Sequence, residues 1–250
     1  MKKVSIHLGI NKYDADYYGG NIDLGQCVYD AERLEDYSTA NGFSAYAMLN
    51  GNATVDNFTR KMTDAAKTLK KGDILFLTDS SHGTYDDNIV GAKTKRQTAI
   101  CLHDGIFWDY EMRELLKKFK AGVKVIWLSD CCFAESNWRF IRDSQPYNNA
   151  RARYTPKPAD AVAVPTQGDK RSIKCNLFTY SSSNVYQVSY EDENGGVFTS
   201  SVLKALSKEP TISYYQLWKR SSEIIAPLYP QSPVFENVRS AHLTGTKFLT

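Results

Sequence analysis

A strand that is buried on both faces is predicted by the sequence DILFLT at residues 73–78. A near-continuous apolar run of this length is typical of a parallel sheet whose two faces are covered by helices. A second run of the same kind, VKVIWL, occupies residues 123–128. Apolar residues recur at helical spacing from Trp108 to Phe119, between the two runs. The order strand, helix, strand predicts two parallel neighbours in one sheet.

The same alternation continues on both sides of these runs. Thr54 can cap a helix whose apolar face runs from Val55 to Leu69, and Gly72 ends it. We also predict strands at 4–10, 43–49, 98–102 and 177–181, and helices at 25–40, 197–206 and 214–225. The sequence therefore predicts a single α/β domain with a mostly parallel central sheet flanked by helices.

Composition excludes several classes of protein. The 250 residues are 42% hydrophobic and 24% charged, which is average for soluble globular proteins and argues against disorder, collagen and coiled coils. The net charge of +3 is small, so neither nucleic acid nor a membrane surface is predicted as a partner. We find no signal peptide and no run of 18 apolar residues.

The five cysteines indicate a reducing compartment. Their number is odd, and two of them, Cys131 and Cys132, are adjacent, which does not suit a disulfide framework. We therefore expect a cytoplasmic protein or an intracellular part of a larger one. No Cys-x-x-Cys or His-x-x-x-His occurs, so no zinc site is predicted.

Two polar clusters follow the two buried runs, and each contains a residue that can carry chemistry. His82 follows the first run and Cys132 follows the second, 50 residues later. Ligands of open parallel sheets bind beyond the carboxyl ends of the strands, so the two side chains are expected at one edge. A thiol beside an imidazole is the minimal pair for acyl transfer, and Gly83 can offer a backbone N–H to an oxyanion. A buried thiol and a satisfied histidine are the alternative interpretation.

The chain resembles a known family at these positions. Strand-Ser-x-His-Gly, followed about fifty residues later by strand-Asp-x-Cys, is similar to the caspase-like cysteine peptidases, in particular the metacaspase branch and its bacterial relatives. Further similar segments occur in the same order along the chain: LGIN at 8–11, CVYDA at 27–31, QVSYE at 187–191 and GVFT at 196–199.

The resemblance implies a caspase-like fold and assigns roles to the two candidate residues. His82 corresponds to the general acid and base, and Cys132 to the nucleophile. Cys131 is the competing nucleophile, but its thiol would then follow Asp130 directly, without the middle residue of the Asp-x-Cys motif.

The resemblance also implies a pocket for a basic side chain at P1, the residue before the cut bond. The matching positions are Asp30, Ser80 and Asp130. Carboxylates and hydrogen-bond acceptors are what a desolvated guanidinium or ammonium requires, so we expect peptide or protein substrates cut after Arg or Lys. A solvated helix-face charge is the alternative for Asp30, and a backbone or capping role is the alternative for Asp130.

The chain departs from the family pattern at two places. Metacaspases continue the nucleophile with His-Ser-Gly, whereas residues 133–135 are Phe-Ala-Glu. Of the acidic pair that contributes to the family's calcium site, Asp109 is retained and Tyr110 replaces its neighbour. Hard divalent cations need six or more oxygens, so we expect no cofactor to be required, and calcium binding is the alternative.

Residues 142–174 form a predicted surface loop with four prolines and little apolar periodicity. Its seven basic residues are Arg142, Arg151, Arg153, Lys157, Lys170, Arg171 and Lys174. The loop is either a solvated linker or, by the resemblance, a site of self-cleavage between a large-subunit-like and a small-subunit-like part of one domain, 1–250. The leading prediction is a cysteine endopeptidase. The alternatives are a catalytically degenerate caspase-fold interaction module and a non-peptidase cysteine hydrolase or acyltransferase.

Overall fold

Twelve strands and six helices are present in the computed structural model, which describes residues 1–86, 97–132, 150–163, 172–184 and 187–250. In chain order they are β1 (Lys3–Gly9), α1 (Ala15–Tyr18), α2 (Cys27–Ala40), β2 (Ser44–Leu49), α3 (Val55–Thr68), β3 (Ile74–Ser80), β4 (Gly83–Asp86), β5 (Gln97–Leu102), β6 (Gly105–Trp108), α4 (Asp109–Lys117), β7 (Lys124–Asp130), β8 (Arg151–Ala152), β9 (Asn176–Ser181), β10 (Tyr190–Asp192), β11 (Gly195–Gly196), α5 (Val197–Lys208), α6 (Tyr214–Ile225) and β12 (Val234–Val238).

The central sheet has six strands in the order β12-β9-β7-β3-β1-β2. All neighbouring pairs are parallel except β12 with β9. Two small antiparallel sheets, β4-β5-β6 and β11-β10-β8, accompany it. The predicted α/β class with a mostly parallel sheet is confirmed. Among the described residues no helix has the length and hydrophobicity that crossing a membrane requires.

Two apolar clusters cover the two faces of the sheet, which explains the continuous apolar pattern of β3. Leu75 and Leu77 belong to the cluster that α3 and α4 complete. Ile74 and Phe76, which point the other way, belong to the cluster of α2, α5 and α6. Alternate side chains of a strand face opposite sides of the sheet. A strand that is covered on both sides therefore shows no alternation of polar and apolar residues.

Most predicted helices and strands are confirmed within a few residues, and Thr54 caps α3 by accepting the Asn57 N–H. The short strands β4, β6, β8, β11 and β12 were not predicted, because two to five residues give no measurable periodicity, whereas β10 overlaps the family-like segment 187–191, which resembles a strand of the family. Helix α1 lies between the predicted strand 4–10 and the predicted helix 25–40, where no helix was predicted.

The prediction of an exposed loop at 142–174 is wrong for part of its length. Ala150, Arg153, Thr155 and Ala163 are buried, and β8 lies among them. Predictions for residues 133–135, 142–149 and 164–171 lie outside the described residues.

Candidate active site

The register of the two buried strands brings His82 and Cys132 to the same edge of the sheet. Strands β3 and β7 are parallel neighbours, and their last residues, Ser80 and Asp130, are paired. His82 and Cys132 each follow by two residues. The polar clusters that the sequence analysis placed at two strand ends are thus one site.

His82 is fixed by contacts on both sides of its ring. Its backbone N–H donates to the hydroxyl of Tyr13 (2.8 Å), whose ring lies 5.3 Å away. Nε2 lies 2.7 Å from the carbonyl oxygen of Ile22. A carbonyl only accepts, so Nε2 carries the proton and Nδ1 is the basic nitrogen. Nδ1 is buried and hydrogen-bonds to none of the described residues.

Cys132 is fully buried and faces Ser189, the residue before β10. Its sulfur accepts the N–H of Ser189 (3.1 Å) and lies 3.6 Å from the Ser189 carbonyl oxygen. Cys131 points away, with its sulfur 3.4 Å from Ser129 Oγ and its side chain in the apolar cluster of α3 and α4. The geometry therefore separates the two adjacent thiols.

Burial keeps both candidate catalytic groups uncharged. It raises the pKa of Cys132 to about 12, against the opposing effects of the Ser189 N–H and of Arg153. Burial lowers the pKa of His82 to about 4, against the backbone of Ile22 and of Arg153. At neutral pH the pair is a thiol and a neutral imidazole rather than an ion pair.

Gly83 lies where the two strand-end loops come closest. A Cβ built at this position would collide with the backbone carbonyl of Cys132 and would lie 3.0 Å from its nitrogen. Only glycine permits this approach. The Gly83 N–H donates to the carbonyl oxygen of Arg153 (2.9 Å), so the predicted oxyanion donor is paired with a peptide carbonyl.

The structure brings Asp30, Ser80 and Asp130 together around one pocket, which holds the guanidinium of Arg153. Asp30 lies on α2 and is fully buried, so the alternative of a solvated helix-face charge is wrong. Its carboxylate accepts the Ser80 hydroxyl (2.7 Å) and the N–H of Gly196 (3.0 Å).

Asp130 forms the opposite wall of this pocket. Its carboxylate accepts the backbone N–H (2.9 Å) and the hydroxyl (2.8 Å) of Thr199, at the start of α5. The Ser189 hydroxyl donates to its other oxygen (2.8 Å). Burial raises the pKa of Asp130, and the guanidinium of Arg153 opposes this rise. Asp130 thus combines the predicted pocket position with the alternative capping role.

The guanidinium of Arg153 fills the pocket. Its Nη2 lies 2.6 Å from Asp30 and 3.3 Å from Glu191, and its Nη1 lies 3.3 Å from the Asp130 carboxylate. Nη1 also donates to the Ser80 hydroxyl (2.6 Å) and to the Asp130 carbonyl (3.0 Å). Burial disfavours the charge, but the surrounding anionic groups raise the pKa of Arg153 well above its ordinary value.

Glu191 is a pocket residue that the sequence analysis did not select. Its carboxylate accepts the N–H of Gly25 (2.9 Å) and of Gln26 (3.3 Å), so it ties β10 to the start of α2 while facing Arg153. The available signal was its place in the family-like segment 187–191.

Gly196 closes the pocket from the side of β11. A Cβ built there would lie 2.7 Å from Nη1 of Arg153 and 2.7 Å from the Asp30 carboxylate. The absence of a side chain at this position makes the room that the guanidinium occupies.

Asp109, the acidic residue considered for calcium, has another contact: it accepts the hydroxyl of Thr98. Nearby, Glu111 accepts the N–H of Trp108 (2.8 Å) at the start of α4. Within the described part of the chain, no three His, Cys, Asp or Glu side chains are grouped so that they could hold a metal ion.

Comparison with known proteins identifies the family. A model of the caspase domain matches residues 2–243. A protein from Geobacter sulfurreducens, known from a crystal structure, is 26% identical and superposes with a TM-score of 0.84 over 100% of this chain and 99% of that one. No curated protein matches the sequence. With a caspase-like fold and a family match over nearly its whole length, the chain belongs to the caspase domain family.

Proposed function

We propose that the protein is a cysteine endopeptidase of metacaspase type that hydrolyses peptide bonds after Arg or Lys. One observation carries the proposal: three buried carboxylates, from Asp30, Asp130 and Glu191, surround a guanidinium beside the Cys132 thiol and the His82 imidazole. A buried cluster of this charge requires a cationic occupant. Membership of a peptidase family supports peptide substrates.

Arg suits this pocket better than Lys. The two terminal nitrogens of the guanidinium have acceptors on opposite walls of the pocket, Nη2 with Asp30 and Nη1 with the carboxylate of Asp130. A Lys ammonium is a single point charge and cannot reach both walls in the same way. We therefore propose cleavage after either residue, with Arg preferred.

In the proposed reaction the Cys132 sulfur attacks the carbonyl carbon of the P1 residue, and its proton passes to Nδ1 of His82. The Gly83 N–H stabilises the oxyanion. The C–N bond then breaks, and His82 gives the proton to the leaving amine. Water hydrolyses the thioester with His82 as base, which releases the carboxylate and restores the thiol.

The site performs this chemistry without a cofactor in our proposal, and the enzyme acts in the cytoplasm. All five cysteines are free and buried, which suits a reducing compartment. We further propose that the enzyme cuts its own chain within residues 142–174.

Release of a fluorophore from peptides ending in Arg, Lys or Leu tests the proposal. We expect turnover for Arg and Lys, none for Leu, and loss of at least about a thousandfold in Cys132→Ala and His82→Ala. The exposed His242→Ala is the control for a histidine outside the site, and it should match the wild type. Activity should be equal in EDTA and in added calcium.

Three results would contradict the proposal. Equal activity of Cys132→Ala would remove the thiol from the mechanism. No turnover of any basic peptide, with or without calcium, would favour the interaction module, and turnover without a basic preference would favour a different cysteine hydrolase.

A further inference from the structure

Residues 150–153 lie along the pocket as an added strand. Strand β8 pairs antiparallel with β10, with Ala152 opposite Tyr190 and Arg151 opposite Glu191. The Arg153 N–H donates to the Ser189 carbonyl (2.9 Å), which extends this pairing to the pocket. Peptides that add a strand to a sheet edge are held in this way, with main-chain hydrogen bonds for affinity and alternate side chains for selection.

The peptide bond after Arg153 lies at the candidate catalytic groups. Its carbonyl oxygen accepts the Gly83 N–H, and Gly83 contacts the backbone of Cys132. The backbone of Arg153 also affects both titratable groups. Burial raises the pKa of Cys132 and lowers the pKa of His82, and hydrogen bonding by the Arg153 backbone opposes both shifts. The peptide group therefore lies within reach of both side chains.

The chain on the far side of this bond is held as well. The ring of Tyr154 stacks on Tyr85, with centroids 5.8 Å apart. The Thr155 N–H donates to the Gly83 carbonyl (3.3 Å). Contacts on both sides fix the bond between Arg153 and Tyr154 in the position of a bond to be cut.

We propose that residues 150–155 are the enzyme's first substrate: Arg153–Tyr154 is cut within its own molecule, and residues 150–153 show which peptides the site accepts afterwards. This inference rests on the proposed function. The thioester forms on Arg153 and the Tyr154 amine leaves with the proton from His82. Hydrolysis then leaves an Arg153 carboxylate.

The neighbouring side chains extend the recognition beyond P1. Ala150, the fourth residue before the bond, is fully buried in the apolar cluster that contains Tyr190 and Val197. Arg151, the third, is exposed. The site therefore selects a small residue at P4, accepts any side chain at P3 and requires a cation at P1.

Intact-mass measurement of five purified proteins tests the cut. We expect fragments 1–153 and 154–250 from the wild type and from Arg151→Gln, the matched control for the exposed neighbour. Arg153→Gln and Cys132→Ala should stay whole. Arg153→Lys keeps the buried charge and should be cut about tenfold more slowly than the wild type. This variant keeps the test valid if Arg153→Gln fails to fold.

A mixing experiment tests whether the cut is intramolecular. Cys132→Ala carries an intact segment in its own pocket, so wild-type enzyme added to it should leave it whole. Cleavage of Cys132→Ala at the rate of the wild type's own cut would overturn the proposal, as would a cut after another residue such as Lys157.

Peptides test the extended recognition and separate this inference from the proposed function. With Ala-Arg-Ala-Arg-fluorophore as reference, Leu at P4 should lower kcat/KM about tenfold, whereas Gln at P3 should change it less than about twofold. Turnover of basic peptides without a cut at Arg153, or with Leu accepted at P4, would overturn this inference and leave the proposed function standing. No turnover at all would overturn both.

Discussion

Asp30 is the residue on which most contacts of the pocket converge. Its carboxylate holds Arg153 and the Gly196 N–H, and Arg33 balances it from outside at 2.7 Å. Removing one partner of a buried ion pair leaves the other charge uncompensated, which costs several kcal/mol. The charge of Asp30 therefore matters for binding a cationic side chain more than for the bond-breaking step.

Asp30→Asn should raise KM for Arg-P1 peptides by about a hundredfold with a smaller change in kcat. The substitution weakens binding of the substrate in the ground state and in the transition state by similar amounts. Steady-state kinetics would show the split. Asp36→Asn, on the exposed part of the same helix, is the control and should match the wild type. Unchanged KM in Asp30→Asn, with a normal melting temperature, would contradict the assignment.

At the level of the elements, the strand pair β3–β7 buries a carboxylate outside the pocket. Asp79 accepts the indole N–H of Trp127 (2.5 Å) and the hydroxyl of Ser129 (2.8 Å), both on β7. Burial raises its pKa from 3.8 to about 7. The folded protein thus binds a proton that the unfolded chain has lost, so this group lowers stability as the pH rises from about 4 to about 7.

Asp79→Asn should therefore be more stable than the wild type at pH 8, by up to about 4 kcal/mol, and close to it at pH 4. Urea unfolding across this pH range measures the difference. Asp64→Asn, on the exposed side of α3, should show no such trend. If the difference in free energy of unfolding between Asp79→Asn and the wild type became smaller as the pH rises, this result would contradict the raised pKa of Asp79.

The helices and strands also show how much of the fold and of the candidate site could be predicted from the sequence. The runs at 73–78 and 123–128 predicted two neighbouring strands, and with them the meeting of His82 and Cys132, because burial on both faces leaves a clear pattern. The segment around Arg153 gave no such pattern. Its burial depends on carboxylates from positions 30, 130 and 191, which meet only in the folded chain.

At the scale of the whole molecule, the bond after Arg153 divides the sequence but not the sheet. Strand β7 pairs with β9 along six residues, from Lys124 with Asn176 to Ser129 with Ser181. Helices α2, α5 and α6 share one apolar cluster across the same division. The two parts are therefore halves of one core rather than separate units.

The cut enzyme should consequently remain a single particle. We expect fragments 1–153 and 154–250 to elute together in size-exclusion chromatography at neutral pH and to separate only in denaturant. Native mass spectrometry provides the same readout, and uncut Cys132→Ala is the size reference. Two species without denaturant would contradict a shared core.

Because every thiol is buried, the cysteines of the uncut molecule are protected from chemical modification. Each of the five cysteines lies inside the fold, and the proposed nucleophile lies beside residues 150–155. Oxidants and alkylating agents need an accessible thiolate, so they meet no reactive sulfur in this form. If the proposed cut after Arg153 takes place, the proposed nucleophile is therefore shielded from inactivation until that bond has been hydrolysed.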